Sequence, residues 1–209
     1  MKKYLCLLLV LSMCIGVFAS DTFADLKKYG IMQGDPDGAM RLEDEVTRAE
    51  VAKMIVAALG QLGTAELPCD TVFEDVTSAY WASGFIHAAY AQGIIHGKTK
   101  TTFAPEDHIT NEEVIKMIVC ALGYGEMANA RGGYPFGYMM LADKLGILKG
   151  LDLVGTKEAL RGDIATMLTN ALDIPLMMQV GFGSVVEWQI MNGENGIPLR
   201  TWRTVLTAN

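Results

Sequence analysis

The chain contains three copies of one internal repeat. Residues 51–60 read VAKMIVAALG, residues 114–123 read VIKMIVCALG, and residues 164–173 read IATMLTNALD. A repeat of this size cannot bury its own apolar face, so the copies must pack against one another. The sequence therefore predicts one core shared by copies one, two and three, with functional grooves between the copies.

Each string has the pattern of an amphipathic helix. Apolar residues recur at i, i+3, i+4, i+7 and i+8, which places them on a single face that also carries a methionine. Such a stripe indicates core rather than a cofactor site. Thr47 with Glu50, and Thr110 with Glu113, form the T-x-x-E capping box that begins a helix, whereas copy three has Leu160 in place of the threonine.

A G-I-x-x-G motif precedes each of these helices, at residues 30–34, 93–97 and 146–150. The first glycine suits the left-handed residue that ends a helix, and the second suits a turn. A first helix should therefore end before each motif, and in copy two it is predicted to run from near Ala79 to Gln92. The following Asp35-Pro36-Asp37-Gly38 indicates a turn, because the other ligands of a calcium loop are absent.

The first nineteen residues have the pattern of a signal peptide. Lys2 and Lys3 precede an apolar run from Leu5 to Phe18, and Ala19 ends a small-residue cleavage site. The alternative is a retained anchor, but the run is shorter than the about 20 residues that span a membrane. We therefore expect cleavage and no stable membrane insertion afterwards. Cleavage changes the net charge from −7 to −9, which disfavours nucleic acid and anionic membranes as partners.

The cysteines and histidines indicate neither a metal site nor catalysis. Cys6 and Cys14 leave with the signal peptide, so only Cys69 and Cys120 remain, either free or bridged to each other. There is no CxxC motif or His/Cys cluster, and the three histidines form no repeated cluster. We expect no metal, no cofactor and no enzymatic activity.

An arginine occupies the first turn of two repeated helices. Arg48 and Arg161 lie where the helix dipole disfavours a cation. Amide groups exposed at that end would form an anion site, and an arginine there would bind a carboxylate through its planar fork. The alternative is an arginine paired with a neighbouring acid such as Glu43, Asp44 or Glu45.

The motifs of copy two resemble those of the S-layer homology (SLH) module. Copy two contains residues 73–76 (FEDV), 80–82 (YWA), 93–97 (GIIHG), 103–105 (FAP) and 109–110 (IT). The resemblance covers about residues 20–178 and is closest to SLH proteins of clostridia. It implies an all-α fold in which three helix–loop–helix repeats form a pseudo-three-fold spindle around a central helical bundle.

On this resemblance the chain divides into a signal peptide (1–19), repeat one with a shortened first helix (20–63), repeat two (70–125), repeat three (126–178) and a tail (179–209). The tail is either a small strand pair that closes the domain or the stub of a cargo region. The Gly/Tyr-rich connector between copies two and three is either a crossover or a binding surface.

The resemblance also implies a function. SLH grooves bind secondary cell-wall polysaccharide, often through its pyruvate ketal carboxylate, and the T-R-x-E arginine is the usual anion contact. That role falls on Arg48 and Arg161, whereas copy two has Asn111 instead, so one or two working grooves are expected. The other expected ligand-binding residues are Thr47, Asp75, Trp81, Gly34, Gly97 and Gly150.

The expected role is a secreted, non-catalytic anchor in the cell wall or S-layer of a Gram-positive bacterium. The alternative is a self-assembling surface-layer subunit, or an adaptor for other surface proteins, whose partners would be its surface-layer neighbours or a cargo region.

Overall fold

The computed structural model describes residues 24–181 and 186–208, so the predicted signal peptide lies outside the described residues. The described chain is mostly helical and has one small antiparallel sheet. Within it, no helix combines the length and the apolar character needed to cross a membrane.

The elements follow one another along the chain with short connections. They are α1 (24–28), α2 (Arg48–Ala58), α3 (Leu62–Ala65), α4 (Ser83–Ala91), α5 (Asn111–Ala121), α6 (Gly125–Asn129), α7 (Phe136–Leu145), α8 (Arg161–Ala171), β1 (Met177–Gln179), β2 (Trp188–Ile190) and α9 (Trp202–Ala208).

The three repeated strings form α2, α5 and α8. The predicted capping box at Thr47 is complete. At Thr110 the Glu113 carboxylate accepts from Thr110 N (3.0 Å), but among the described residues the Thr110 hydroxyl has no hydrogen-bond partner, and α8 starts at Leu160 without a side-chain cap. The apolar stripes of all three helices belong to one buried core, and α5 packs against both α2 and α8. The shared core predicted from the repeat is confirmed.

The first helix of copy two is shorter than predicted. It begins at Ser83, not near Ala79, because the residues before it form two tight turns in which Thr77 O accepts from Tyr80 N and Tyr80 O accepts from Ser83 N. The predicted left-handed glycines are confirmed, with φ of 68° at Gly30 and Gly93. Gly146 has φ 83°.

A ring of three backbone hydrogen bonds joins the copies just before α2, α5 and α8. Val46 N donates to Ala159 O (3.3 Å), Ala159 N donates to Ile109 O (2.8 Å), and Ile109 N donates to Val46 O (3.0 Å). All three residues are buried. The ring therefore brings the N-termini of the three repeated helices together, although they are far apart in the sequence.

The C-terminal tail folds back on the domain. Strand β1 pairs with β2, with Met177 opposite Ile190. A small strand pair is thus present, but β1 begins before the predicted tail of residues 179–209. Helix α9 was not predicted, and its Trp202 is 0% exposed in the core. Arg203 of α9 forms ion pairs with Asp173 and Asp25 at 2.7 Å.

We expect Trp202→Ala to lower the free energy of unfolding by about 3–5 kcal/mol, because it empties a fully buried site. Trp188→Ala is the matched control, since Trp188 is 40% exposed and should cost far less. Urea unfolding followed by far-ultraviolet circular dichroism measures both. Equal costs would mean that α9 is not part of the core.

Candidate ligand-binding grooves

The backbone amides at the helix starts are already occupied. In α2, Arg48 N donates to Asp107 O and Ala49 N donates to Pro105 O, both at 3.0 Å. The third amide, Glu50 N, donates to Thr47 Oγ1. The expectation of exposed amides that form an anion site is therefore wrong, because copy two supplies the acceptors for copy one.

Arg48 is buried between copies one and two. Its Nε donates to Phe103 O (3.0 Å), its two terminal nitrogens donate to His96 O and Glu113 Oε1 (3.1 Å each), and its exposed fraction is 7%. The guanidinium also lies 4.7 Å from the centre of the Phe103 ring. Burial lowers the Arg48 pKa, and the nearby Glu113 carboxylate opposes that shift. Its acid partner thus comes from copy two, not from the adjacent residues 43–45.

Arg161 makes the equivalent backbone contacts between copies three and one. Its Nε donates to Met40 O (3.1 Å) and one terminal nitrogen donates to Gln33 O (2.8 Å). In contrast to Arg48 it is half-buried, and within the described ranges it forms no ion pair. Both arginines therefore fasten one copy to the next, and Arg161 retains more freedom to contact a ligand.

Each arginine lies in a groove between copies. The Arg48 groove has a volume of about 170 Å³ and the Arg161 groove about 180 Å³. The Arg48 groove is lined by Arg48, Ile94, Ile95, His96, Gly97, Lys98, Glu113, Lys116, Met117 and Tyr134. The Arg161 groove is lined by Gly30, Ile31, Met32, Gln33, Glu50, Lys53, Met54, Trp81 and Arg161.

The two grooves are built from equivalent positions of the repeat, and each contains a lysine that sequence reasoning missed. Lys116 Nζ lies 5.3 Å from the ring centre of Tyr134, and Lys53 Nζ lies 5.8 Å from that of Phe85. Neither lysine forms an ion pair with any residue that the structure describes. The signal was present in the sequence, because lysine is the one charged residue repeated inside two otherwise apolar strings.

The third helix start has a different construction. Asn111 is 3% exposed, its Nδ2 donates to Val154 O (3.0 Å), and its buried Oδ1 has no hydrogen-bond partner. Thr166 stands where the other copies have lysine. Asn170 Nδ2 donates to Lys149 O (2.9 Å), the carbonyl equivalent to those that the two arginines bind. The junction between copies two and three therefore has neither the arginine nor the lysine that the other two grooves contain.

Two of the other predicted ligand-binding residues, Thr47 and Asp75, form hydrogen bonds with backbone groups of the protein. The hydroxyl and amide of Thr47 exchange hydrogen bonds with Glu50 at the start of α2. The Asp75 carboxylate accepts from Phe103 N (2.9 Å) and Ala104 N (2.7 Å), and so holds the loop that Arg48 contacts. Trp81, by contrast, is 52% exposed and lines the Arg161 groove.

The predicted glycines differ in position. Gly97 lines the Arg48 groove, and a Cβ there would overlap Thr99 O and the Phe73 ring. At Gly34 a Cβ would lie 2.9 Å from Ala39 O. Gly150 has φ 84° and lines neither groove.

The structure also bears on the cysteines and on the Gly/Tyr-rich connector. Cys69 and Cys120 are both free. The Gly/Tyr-rich connector forms α6 and the start of α7, and it also supplies Tyr134 to the Arg48 groove. It is therefore both a crossover and part of a groove surface.

The repeat pattern matches a known family. The family model of the S-layer homology domain matches residues 16–52 and 72–115. The chain is an S-layer homology domain protein. The first matched segment begins before repeat one, and the second begins within repeat two. They extend into α2 and α5, so they include both members of the Arg48–Glu113 ion pair.

Proteins with different names contain a region similar to this SLH chain. It is 33% identical over 170 residues to the "Middle cell wall protein" of Brevibacillus brevis, which covers 81% of this chain and 16% of that protein. The chain is 28% identical over 184 residues to the "Cell surface protein" of Thermoanaerobacter kivui, and this match covers 81% of the chain and 24% of that protein. An "Endoglucanase" of a Bacillus species is 35% identical over 102 residues, and this match covers 49% of the chain and 10% of that protein. The chain thus spans a quarter or less of each relative.

We expect Arg48→Ala to lower the free energy of unfolding by about 2–4 kcal/mol, because two carbonyls and Glu113 lose a charged donor. Arg161→Ala should cost about 1 kcal/mol, since Arg161 is more open to solvent and has no acid partner to leave behind. Urea unfolding of both variants tests the difference. A larger cost for Arg161→Ala would contradict this assignment of the buried contact.

Proposed function

We propose that this SLH protein is a secreted, non-catalytic module that anchors to the Gram-positive cell wall. It binds secondary cell-wall polysaccharide in the Arg48 and Arg161 grooves, through a carboxylate such as a pyruvate ketal. The "Middle cell wall protein" and "Cell surface protein" relatives support the location. The endoglucanase supports attachment of the same module to different partners, since the match covers only 10% of that protein.

We further propose that copy three is a third SLH repeat and that the three repeats form a pseudo-three-fold spindle. The ring through Val46, Ile109 and Ala159 supports this arrangement, because each copy occupies an equivalent place in it. The proposed division keeps repeats at residues 20–63, 70–125 and 126–178. The tail then belongs with the domain, since Trp202 is buried in the common core.

The observation that carries the binding proposal is a pair of lysines that form no ion pair with any of the described residues. Lys116 and Lys53 lie at equivalent places in two grooves that also contain an arginine. The Glu113 carboxylate in one groove is already used by Arg48 and by Thr110 N. A second cation therefore remains to bind an anion, in a protein whose overall charge is negative.

The aromatic residues of the grooves suit a sugar. Tyr134 lines one groove and Trp81 the other, and both rings are exposed. An exposed ring offers an apolar face to the C–H groups of a pyranose, while its edge remains available to polar groups. A carboxylated sugar satisfies the cations and the ring together. A self-assembling subunit or adaptor, the alternative role, would require neither lysine.

We expect the mature protein to sediment with purified walls of Brevibacillus brevis, and to sediment much less after mild acid has removed pyruvate ketals. The physical reason is the loss of the carboxylate that pairs with the groove cations. Walls whose ketals have been chemically restored serve as the control. Equal sedimentation with untreated and ketal-free walls would exclude the carboxylate mechanism.

We expect Lys53→Ala combined with Lys116→Ala to weaken wall binding by about tenfold or more, because a hydrogen bond to a charged group contributes about 1.5–3 kcal/mol. The control is Lys144→Ala with Lys157→Ala, which makes the same change in charge at residues that line neither groove. Affinity is read from sedimentation isotherms at low salt. If both double variants weaken binding equally, the effect is one of overall charge and the groove assignment is wrong.

A further inference from the structure

A larger cleft adjoins the Arg48 groove. Its volume is about 570 Å³, and His96 and Lys116 line both the cleft and the groove. The groove alone is smaller than the about 300–1,000 Å³ of typical small-molecule sites, whereas the cleft falls within that range. A ligand in the groove can therefore continue into the cleft without leaving the surface.

The cleft exists because copy two lacks one side chain that copy one has. Position 125 is glycine where copy one has Leu62. In copy one the Leu62 side chain lies 2.9 Å from where a Cβ on Gly30 would stand. At the equivalent Gly93 a Cβ would meet nothing within 4 Å. The two grooves are thus alike, but the space beside the Arg48 groove is open.

The far wall of the cleft comes from the C-terminal hairpin and the connector. Trp188 of β2 is 40% exposed and faces it together with Asn129 of α6. Tyr138 OH donates to Asn129 Oδ1 (3.0 Å), and burial raises the Tyr138 pKa to about 12, so the hydroxyl stays a donor. This bond holds the Asn129 amide at the wall of the cleft.

His96 also remains a neutral polar group. Burial, and then the positive charge of Lys116, lower the His96 pKa from its ordinary value. At neutral pH its ring can both donate and accept a hydrogen bond. Besides the charged Lys116 and Glu126, the cleft therefore offers an aromatic face and uncharged polar groups, which suit the C–H faces and hydroxyls of a neutral sugar.

We propose that this cleft is a second subsite that binds the sugar residue next to the acid-bearing residue, with Trp188 as its stacking platform. The proposal rests on the proposed function of the Arg48 groove. It makes the two grooves unequal: the Arg48 groove binds two or more consecutive sugars, and the Arg161 groove binds one. Gly125 is then a specificity-determining position, and Trp188 a ligand contact outside the three repeats.

Titration calorimetry with two synthetic glycans tests this inference. One is a single hexopyranoside that carries a 4,6-pyruvate ketal, and the other is a trisaccharide with the same sugar at its non-reducing end. All proteins carry Lys53→Ala, which weakens the Arg161 groove. We expect the trisaccharide to bind about threefold to tenfold more tightly than the monosaccharide, as one added aromatic contact would allow.

Two variants should abolish that gain and leave the monosaccharide affinity unchanged. Trp188→Ala removes the platform, and Gly125→Leu refills the cleft with the side chain that copy one has. Ile190→Ala is the control, because Ile190 lies on the same strand with the same 40% exposure and does not line the cleft. Unchanged circular dichroism and melting temperature verify the fold of each variant.

The outcomes separate this inference from the proposed function. If both glycans bind the Lys53→Ala protein with equal affinity, the second subsite is wrong and carboxylate binding in the groove stands. A gain that survives both Trp188→Ala and Gly125→Leu also overturns the subsite. If neither glycan binds even the protein without Lys53→Ala, the proposed function itself fails, and the subsite with it.

Discussion

The ring of backbone hydrogen bonds through Val46, Ile109 and Ala159 is the constraint on which the other features depend. It brings each repeated helix to the loop of the next copy, and that loop supplies carbonyl acceptors to the first amides of the helix. The first two amides of α2, α5 and α8 are thereby paired with protein carbonyls, so that these helices can begin at the junctions between copies. The grooves are the outer edges of these same junctions.

The two arginines occupy equivalent positions but differ in role. Arg48 stabilises its junction, whereas Arg161 remains more accessible to a ligand. Arg48 and Arg161 bind equivalent loop carbonyls, but only Arg48 is also paired with a glutamate and buried. A buried pair is costly to break, because removing one partner leaves the other without compensation. For the proposed anion binding, lysine is better suited than the junction arginines, since its mobile ammonium can move without disturbing the junction.

The repeat and its helices could be predicted from the sequence because their signals are local. Capping boxes, apolar stripes and left-handed glycines depend on residues within a few positions of one another. The partners of Arg48 and Asp75 could not be predicted, since they lie in loops that only the assembled core brings near. Helix α9 was missed because it is held by the long-range packing of Trp202 and the ion pairs of Arg203, without a repeated pattern.

Which residues line the grooves was easier to predict than the role of each residue there. The arginines and Trp81 were identified from the motif, and both arginines do line grooves. Lys53 and Lys116 were overlooked because they lie within strings that were interpreted as core. Their exposure depends on the angle between neighbouring helices, which periodicity alone does not specify.

A closed ring of hydrogen bonds limits the number of repeats in one module, whereas an open repeat array does not. Stacked solenoids add units at a free end, and each unit contacts only its neighbours. Here every donor and acceptor of the ring is used within the three copies, so a fourth copy has no place to join. Under the proposed function, stronger attachment to the wall polysaccharide comes from avidity between several such modules, rather than from a longer series of repeats in one module.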